Sequence, residues 1–104
     1  MTITTGTAPE VGSTVRVYLS IVDPGGVAAD PDTLEVLVKD PDGAVTTYVY
    51  GASPDTVFRT AVGEFYLDVE ATEADEWFFR GEAASAAWTD TEEGSFVVRE
   101  SLVN

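Results

Sequence analysis

The chain has 104 residues, of which 44% are hydrophobic, enough for a single domain that folds without metals or cross-links and buries about two thirds of its unfolded surface. Nineteen acidic residues against five basic ones give a net charge of −14, which excludes nucleic acids and anionic membranes as partners because binding to both depends on Lys and Arg. Cysteine and histidine are absent, so disulfides, thiolate or imidazole metal sites and histidine-assisted nucleophiles are excluded as well.

The high acidity has two interpretations, since it keeps a small domain soluble and also suits a basic partner surface. The first residues contain neither the basic residues nor the apolar run of a signal peptide. The longest nearly apolar stretch, residues 15–22, is interrupted by Arg16 and Ser20 and is too short to span a bilayer. We therefore expect neither export through a signal peptide of its own nor a membrane-embedded chain.

Residues 1–13 are rich in Thr, Gly and Ala and show no amphipathic period, so we expect a flexible amino-terminal arm there. The next segment, residues 14–22, alternates aliphatic side chains with Arg16, Tyr18 and Ser20. This period of two predicts the first strand.

The best-defined hairpin lies within residues 33–50. Residues 33–39 alternate with the period of a half-buried strand, and residues 44–50 are rich in β-branched and aromatic side chains. Between them, Asp40-Pro41-Asp42-Gly43 places proline and glycine where a tight turn requires them. The sequence therefore predicts an antiparallel pair of strands.

The second half of the chain holds most of the aromatic residues. Residues 55–60 predict a short strand, and residues 63–98 contain seven of the eleven aromatic residues of the chain. Residues 71–76 are too short to bury a helix face and are expected to be a loop. Alternation within the aromatic stretch predicts strands at residues 65–69, 76–83 and 95–99, with residues 84–89 as a candidate eighth strand.

About seven short strands separated by turn residues predict an all-β fold, an immunoglobulin-like antiparallel β-sandwich without a disulfide. Residues 14–100 should form the sandwich, between the arm and a short tail at residues 101–104. The predicted core consists of inward-facing residues of these strands: Val36, Val38, Phe65, Leu67, Val69, Trp77, Phe79, Phe96 and Val98.

Three aromatic residues are candidates for binding a partner. Tyr48 and Tyr50 lie on the same face of the predicted strand, but the alternation does not say which face is inward. Facing outward, they would form an aromatic platform with Trp88 for a protein or a sugar. Facing inward, they belong to the core, and the sequence leaves both possibilities open.

The sequence assigns no catalytic residue, no metal ligand and no cofactor. Paired carboxylates can hydrolyse glycosides, but they need a cleft that raises one pKa, and a simple sandwich has little room for one. The acidic turns at residues 30–32 and 40–43 carry four carboxylates that could hold a calcium ion. Because turns select Asp and Pro for their own geometry, plain turns are the preferred interpretation and a bound cation is the alternative. We expect a protein that is not an enzyme.

Six short motifs carry a resemblance that covers residues 14–99. They are Val36-Leu37-Val38-Lys39-Asp40-Pro41-Asp42-Gly43, Tyr48-Val49-Tyr50-Gly51, Val57-Phe58-Arg59, Gly63-Glu64-Phe65-Tyr66-Leu67-Asp68-Val69, Glu76-Trp77-Phe78-Phe79-Arg80-Gly81 and Glu93-Gly94-Ser95-Phe96-Val97-Val98. Together they resemble a family of small immunoglobulin-like proteins that serve as structural modules of tailed bacteriophages. That family has no catalytic residues to transfer.

The resemblance implies a virion component that is made in the host cytoplasm and binds other virion proteins of the capsid or neck, and we also consider a homo-oligomer. Such a protein looks most like a capsid decoration protein, with residues 1–13 and one sheet edge ordering on the shell. A head–tail neck or tail accessory protein is the nearby alternative. A carbohydrate-binding or adhesive module is the alternative from a different class.

Overall fold

A computed structural model describes residues 1–6 and 9–100, and these residues form two antiparallel sheets. The predicted tail at residues 101–104 lies outside the described residues. The eight strands are β1 (Thr2–Thr5), β2 (Thr14–Ser20), β3 (Thr33–Lys39), β4 (Val45–Val49), β5 (Val57–Ala61), β6 (Glu64–Glu70), β7 (Asp75–Ala84) and β8 (Thr89–Val98). No helix occurs in this described part of the chain, and hence none long and apolar enough to cross a membrane.

The two sheets have the strand orders β1-β2-β6-β5 and β4-β3-β7-β8. In immunoglobulin notation the first is the ABED sheet, and the second is the CFG sheet with one additional strand, β4, beside strand C. The chain changes sheet between β2 and β3, between β4 and β5, and between β6 and β7. The predicted immunoglobulin-like sandwich is confirmed, with eight strands.

The core lies between the two sheets and is formed by the alternating inward side chains of the strands. Each of the nine residues expected in the core is at most 6% exposed. The Trp77 ring stacks on Phe96 with centroids 5.9 Å apart, and Phe96 stacks on Phe79 at 6.4 Å. These three rings bring the largest apolar area per residue into the interior.

Within the segment expected to be a flexible arm, Thr2–Thr5 form β1 and pair with β2. Met1 and Ile3 are half-buried and pack against the core. The space they fill lies over Gly81 on β7, where a Cβ atom would collide with both side chains. Ile3 is the one apolar residue of this strand, and a single apolar residue among threonines shows no alternation. The strand can therefore be recognised only from the core surface over Gly81 that it covers.

The last strand also begins earlier than expected. β8 starts at Thr89 rather than at residue 95, and residues 85–88 form the turn between β7 and β8, in which the Ser85 N–H donates to the carbonyl of Trp88 at 2.8 Å. Residues 84–89 are therefore not a separate strand. The polar segment from Thr89 to Glu93 has no apolar alternation and is extended because it pairs with β7.

Candidate functional site

Three aromatic side chains lie side by side on the outer face of the first sheet. Tyr18 of β2 is directly opposite Tyr66 of β6, and Tyr66 is directly opposite Phe58 of β5. Their outward direction follows from the strand alternation, since Val17, Leu19 and Leu67 beside them point into the core. We call Tyr18, Tyr66 and Phe58 the aromatic row.

The aromatic row is a continuous surface of rings. The centroids of Tyr18 and Tyr66 are 6.5 Å apart and those of Phe58 and Tyr66 are 5.3 Å apart, with interplanar angles of 50° and 30°. Tyr18 is 49% exposed and Phe58 is 40% exposed. Large aromatic side chains on strands lose little conformational entropy on binding and still bury much area, which makes such a surface suited to contact with a partner.

Arg16 holds the middle of the row in place. Its guanidinium carbon lies 4.2 Å from the centroid of the Tyr66 ring, a cation–π contact. The same guanidinium donates two hydrogen bonds to the Asp68 carboxylate, at 2.9 and 3.0 Å. These bonds lower the pKa of Asp68 below its usual value, and the pairing raises the pKa of Arg16. Because both groups are ionised and oriented, the Tyr66 ring has a fixed charged neighbour.

The three aromatic residues singled out from the sequence do not form one platform. Tyr48 faces inward beside Val36 and packs against the core, where burial raises the pKa of its phenol. Tyr50 is 39% exposed and meets the Phe65 ring edge-on at 5.0 Å. Trp88 lies in the β7–β8 turn, half-buried against the core. Tyr48 and Trp88 thus line separate depressions, the first with Trp77 and Asp68 and the second with Asp23 and Pro24.

The acidic turns use their carboxylates to cap backbone N–H groups. Asp30 accepts from the Gly63 N–H at 2.9 Å, Asp32 from the Ala86 N–H at 3.1 Å, and Asp40 from the Ala44 N–H at 2.9 Å. Within residues 1–6 and 9–100, no group of three or more acidic side chains is arranged to hold a metal ion. Asp40 thus caps its own turn, whereas Asp30 and Asp32 bond to backbone groups of distant segments.

One depression of about 550 Å³ brings two carboxylates together on the outer face of the second sheet. Glu35 of β3 lies directly opposite Glu82 of β7, and a hydrogen bond between the two side chains raises the pKa of Glu35. Both side chains are half-buried in a depression that is open to solvent, and Arg80 donates to Glu82 at 3.0 Å. The pair therefore lacks the enclosed surroundings that carboxylate catalysis needs.

Sequence reasoning missed the aromatic row, although a signal for it was present. In β2 and β6 the aliphatic residues already identify the inward face, which leaves Tyr18 and Tyr66 on the outward one. The binding surface expected from the sequence did not combine these two outward tyrosines and comprised only Tyr48, Tyr50 and Trp88. The register that brings Tyr18 and Phe58 to either side of Tyr66 needed the structure.

No family model matches this chain, and no curated protein sequence matches it either. A solved structure, that of chitinase ChiW from Paenibacillus sp. str. FPU-7, is similar in fold, with a TM-score of 0.65 and 16% sequence identity. The match covers 91% of this chain but 8% of that chain, which is described as bacterial, cell-surface-expressed and multi-modular. At this identity the likeness concerns the sandwich fold alone.

Proposed function

We propose that this chain is a non-enzymatic attachment protein of a tailed-phage virion that docks through the aromatic row, most simply as a decoration protein on the capsid. The phage assignment rests on the motif resemblance of residues 14–99. The structural observation that supports attachment is the aromatic row, whose exposure the fold itself does not require. A neck or tail accessory protein would use the same surface and is the nearby form of the proposal.

The chemistry of the row suits a partner with an apolar centre and a basic rim. Covering Tyr18 and Phe58 removes apolar area from water, and this gain is roughly proportional to the area covered. The remaining surface carries the net charge of −14, which accelerates encounter with a positively charged partner. Many copies on one particle would add avidity to weak single contacts.

The anchor proposed here is the aromatic row rather than the amino-terminal arm. Thr2–Thr5 pair with β2, so these residues are already used by the sandwich. Met1 and Ile3 cover core surface over Gly81 and would expose it if they left. An arm that dissociates to bind a shell would therefore cost stability, whereas the row is available without rearrangement.

The experiment compares two variants that each remove exposed aromatic surface. Phe58→Ser alters the aromatic row, whereas Phe78→Ser removes a side chain of similar exposure, 46% against 40%, on the opposite sheet. Occupancy on gradient-purified virions is measured by quantitative mass spectrometry. We expect Phe58→Ser to reduce occupancy at least about tenfold, the effect of truncating an aromatic hot spot, and Phe78→Ser to leave it unchanged. Absence of the wild-type protein from virions would refute the phage assignment.

A carbohydrate-binding or adhesive module is the second candidate. The aromatic row favours it, since rings on a flat sheet can stack against sugar rings, and the fold also occurs within a chitinase described as multi-modular and cell-surface-expressed. A glycan array with the wild type and the two variants separates the candidates. Sugar binding that Phe58→Ser abolishes would favour adhesion, and an array without signal together with virion occupancy would favour the structural role.

A further inference from the structure

Four strands lie at sheet edges, and three of them are protected against pairing with another chain. β1 has four residues, and the terminal amine next to it is paired with Asp90 of β8. β5 contains Arg59 and a register irregularity after it, and β8 carries acidic residues, among them Glu92 and Glu93. Short length, irregular register and charge are the usual protections of an edge. β4 has the sequence Val-Thr-Thr-Tyr-Val, so it carries no charged residue, and its register with β3 has no irregularity.

Within residues 1–6 and 9–100, the backbone groups of β4 that do not bond to β3 can be identified from the pairing of these two strands. The Tyr50 N–H donates to the Leu34 carbonyl and the Asp40 N–H to the Ala44 carbonyl, both at 3.0 Å. Because hydrogen-bonded pairs alternate along an antiparallel ladder, even-numbered residues of this strand bond to β3 and odd-numbered ones point their N–H and C=O groups away from it. The outward set is Val45, Thr47 and Val49.

We propose that β4 pairs antiparallel with β4 of a second copy of this chain, with Thr47 opposite Thr47 on the twofold axis. In this register Val45 lies opposite Val49 of the second copy, and the reverse pair follows by symmetry. Thr47 exchanges both hydrogen bonds with its symmetry mate, and in each Val45–Val49 pair the Val49 carbonyl, which already accepts from the Ala52 N–H at 3.5 Å, would accept a second bond. The surface is thus complementary to itself, which a twofold interface requires.

The side chains of the paired residues also fit. Val45 and Val49 are 55% and 39% exposed on the outer face, and in the dimer each covers the other across the new strand boundary. Within each copy Glu35 lies opposite Val49 and Lys39 lies opposite Val45. Across the joined sheet, Glu35 and Val49 of one copy therefore lie in line with Val45 and Lys39 of the second copy. The two ends of this line carry opposite charges.

The contact joins two four-stranded sheets into one of eight strands, but it is small compared with stable interfaces. Two copies that each carry −14 also repel each other. We therefore expect a weak dimer that forms at about 0.1 mM and above. Salt should strengthen it, because screening reduces the repulsion between the two net charges, whereas the backbone hydrogen bonds and valine contacts are not weakened by screening. This inference does not depend on the proposed function.

Sedimentation velocity over a concentration series tests the pairing with Thr47→Lys and Thr91→Lys. Both variants change the net charge equally on an exposed strand position of the second sheet, on β4 and β8 respectively. Thr47→Lys places two like charges together on the twofold axis and should raise the dissociation constant at least about tenfold. Thr91→Lys should not raise it, and Thr47→Val should keep the dimer because valine also favours strands.

Two results would overturn the proposal. One is a wild-type protein that remains monomeric at about 1 mM in 0.5 M salt, a condition under which charge repulsion is largely screened. The other is a dimer that Thr47→Lys and Thr91→Lys affect equally, which would place the contact on another surface. Retention of the far-UV circular dichroism of the wild type shows that each variant is folded.

Discussion

The indole Nε1–H of Trp77 donates a hydrogen bond to the backbone carbonyl of Glu73, 3.0 Å away, where the chain passes from β6 to β7. In immunoglobulin domains the strand that corresponds to β7, strand F, has a tyrosine near its start, two residues before the cysteine of that strand. The hydroxyl of this tyrosine bonds to the backbone a few residues upstream. Trp77 takes that tyrosine's role, and Phe79 stands where the cysteine would be. An indole corner and a ring stack therefore replace the corner tyrosine and the disulfide.

Replacing Trp77 by phenylalanine tests this corner. Trp77→Phe keeps a ring that can stack on Phe96 but loses the donor to Glu73 and part of the buried volume. We expect a loss of about 2–3 kcal/mol in the free energy of urea-induced unfolding. Trp88→Phe, at the half-buried tryptophan of the β7–β8 turn, is the control and should cost less than about 1.5 kcal/mol. Equal losses would show that the corner bond contributes nothing specific.

Gly63 should be far less tolerant of substitution than Gly51, although both have positive φ, +71° and +83°. A Cβ on Gly63 would collide with the carbonyl oxygen of Ile21 and come within 3.1 Å of the Ala29 nitrogen, whereas a Cβ on Gly51 would meet open space. Gly51→Ala therefore costs only backbone strain, about 1 kcal/mol, and Gly63→Ala about 3 kcal/mol because backbone must also move. Urea unfolding compares them, and equal costs would contradict the close packing of this turn.

Asp30 should make stability depend on acid pH. Its carboxylate accepts hydrogen bonds from Arg59 at 3.1 Å and from the Gly63 N–H at 2.9 Å, and these bonds, that from Arg59 first, hold the pKa of Asp30 below its usual 3.8. A lowered folded-state pKa means that the contribution is present above about pH 4 and is lost as the pH falls further.

The variant Asp30→Asn should therefore lower Tm by about 2–6 °C at pH 7, and the difference from the wild type should shrink as the pH falls from about 4 to about 2. Asp55→Asn, in the exposed loop before β5, is the matched control and should change Tm by less than about 1 °C at either end of this range. A difference for Asp30→Asn that is as large at pH 2 as at pH 7 would rule out the ionised carboxylate as its cause.

Most of the fold could be predicted from apolar alternation, which identified the strands wherever a strand buries one face. β3 begins and ends where its pattern does, and the turn at Asp40-Pro41-Asp42-Gly43 has the Gly43 φ of +95° that its sequence indicates. The failures are β1 and the first half of β8, whose extended conformation is imposed by neighbouring strands rather than by their own side chains. Such segments carry no periodic signal to read.

The candidate site was less predictable, because it depends on register between distant strands. Tyr18 and Tyr66 are 48 positions apart and Phe58 lies on a third strand, so their proximity follows only from how β2, β6 and β5 align. Tyr48 and Tyr50 share a face of their strand in the sequence, yet an edge position leaves one half-buried and the other exposed. Alternation predicts which face of the sheet a side chain lies on, but it does not predict how deeply that side chain is buried.

Ile3 distinguishes a docked strand from a loose arm. Ile3 is half-buried against the core, whereas its neighbour Thr4 points outward beside Tyr18. We expect Ile3→Ser to reduce the free energy of unfolding by about 1–2 kcal/mol, because apolar contact over Gly81 is lost. Thr4→Ser should cost less than about 0.5 kcal/mol. If neither variant changes stability, the amino-terminal segment does not contribute to the sandwich in solution.

The facing carboxylates Glu35 and Glu82 should destabilise the fold at neutral pH. They lie directly opposite each other on β3 and β7, and hydrogen bonding to Glu82, partial burial and the charge of Glu82 all raise the pKa of Glu35. An acid with a raised folded-state pKa costs stability when ionised, and this cost disappears as the pH falls through that pKa. The strands on either side of Glu35 place Val49 of β4 and Glu82 of β7 directly opposite it, so Glu82 is the acid that faces Glu35. Glu82 itself also accepts a hydrogen bond from Arg80.

Glu35→Gln should therefore raise Tm by about 1–4 °C at pH 7 and have no effect near pH 3, where Glu35 is protonated in the wild type too. Glu92→Gln, on the exposed edge strand β8, removes the same unit of charge without a facing acid and controls for general relief of the negative charge. Because the two carboxylates act as a pair, Glu82→Gln in the Glu35→Gln background should add no further gain. Equal stabilisation by Glu35→Gln and Glu92→Gln would mean that overall charge, and not this pair, limits stability.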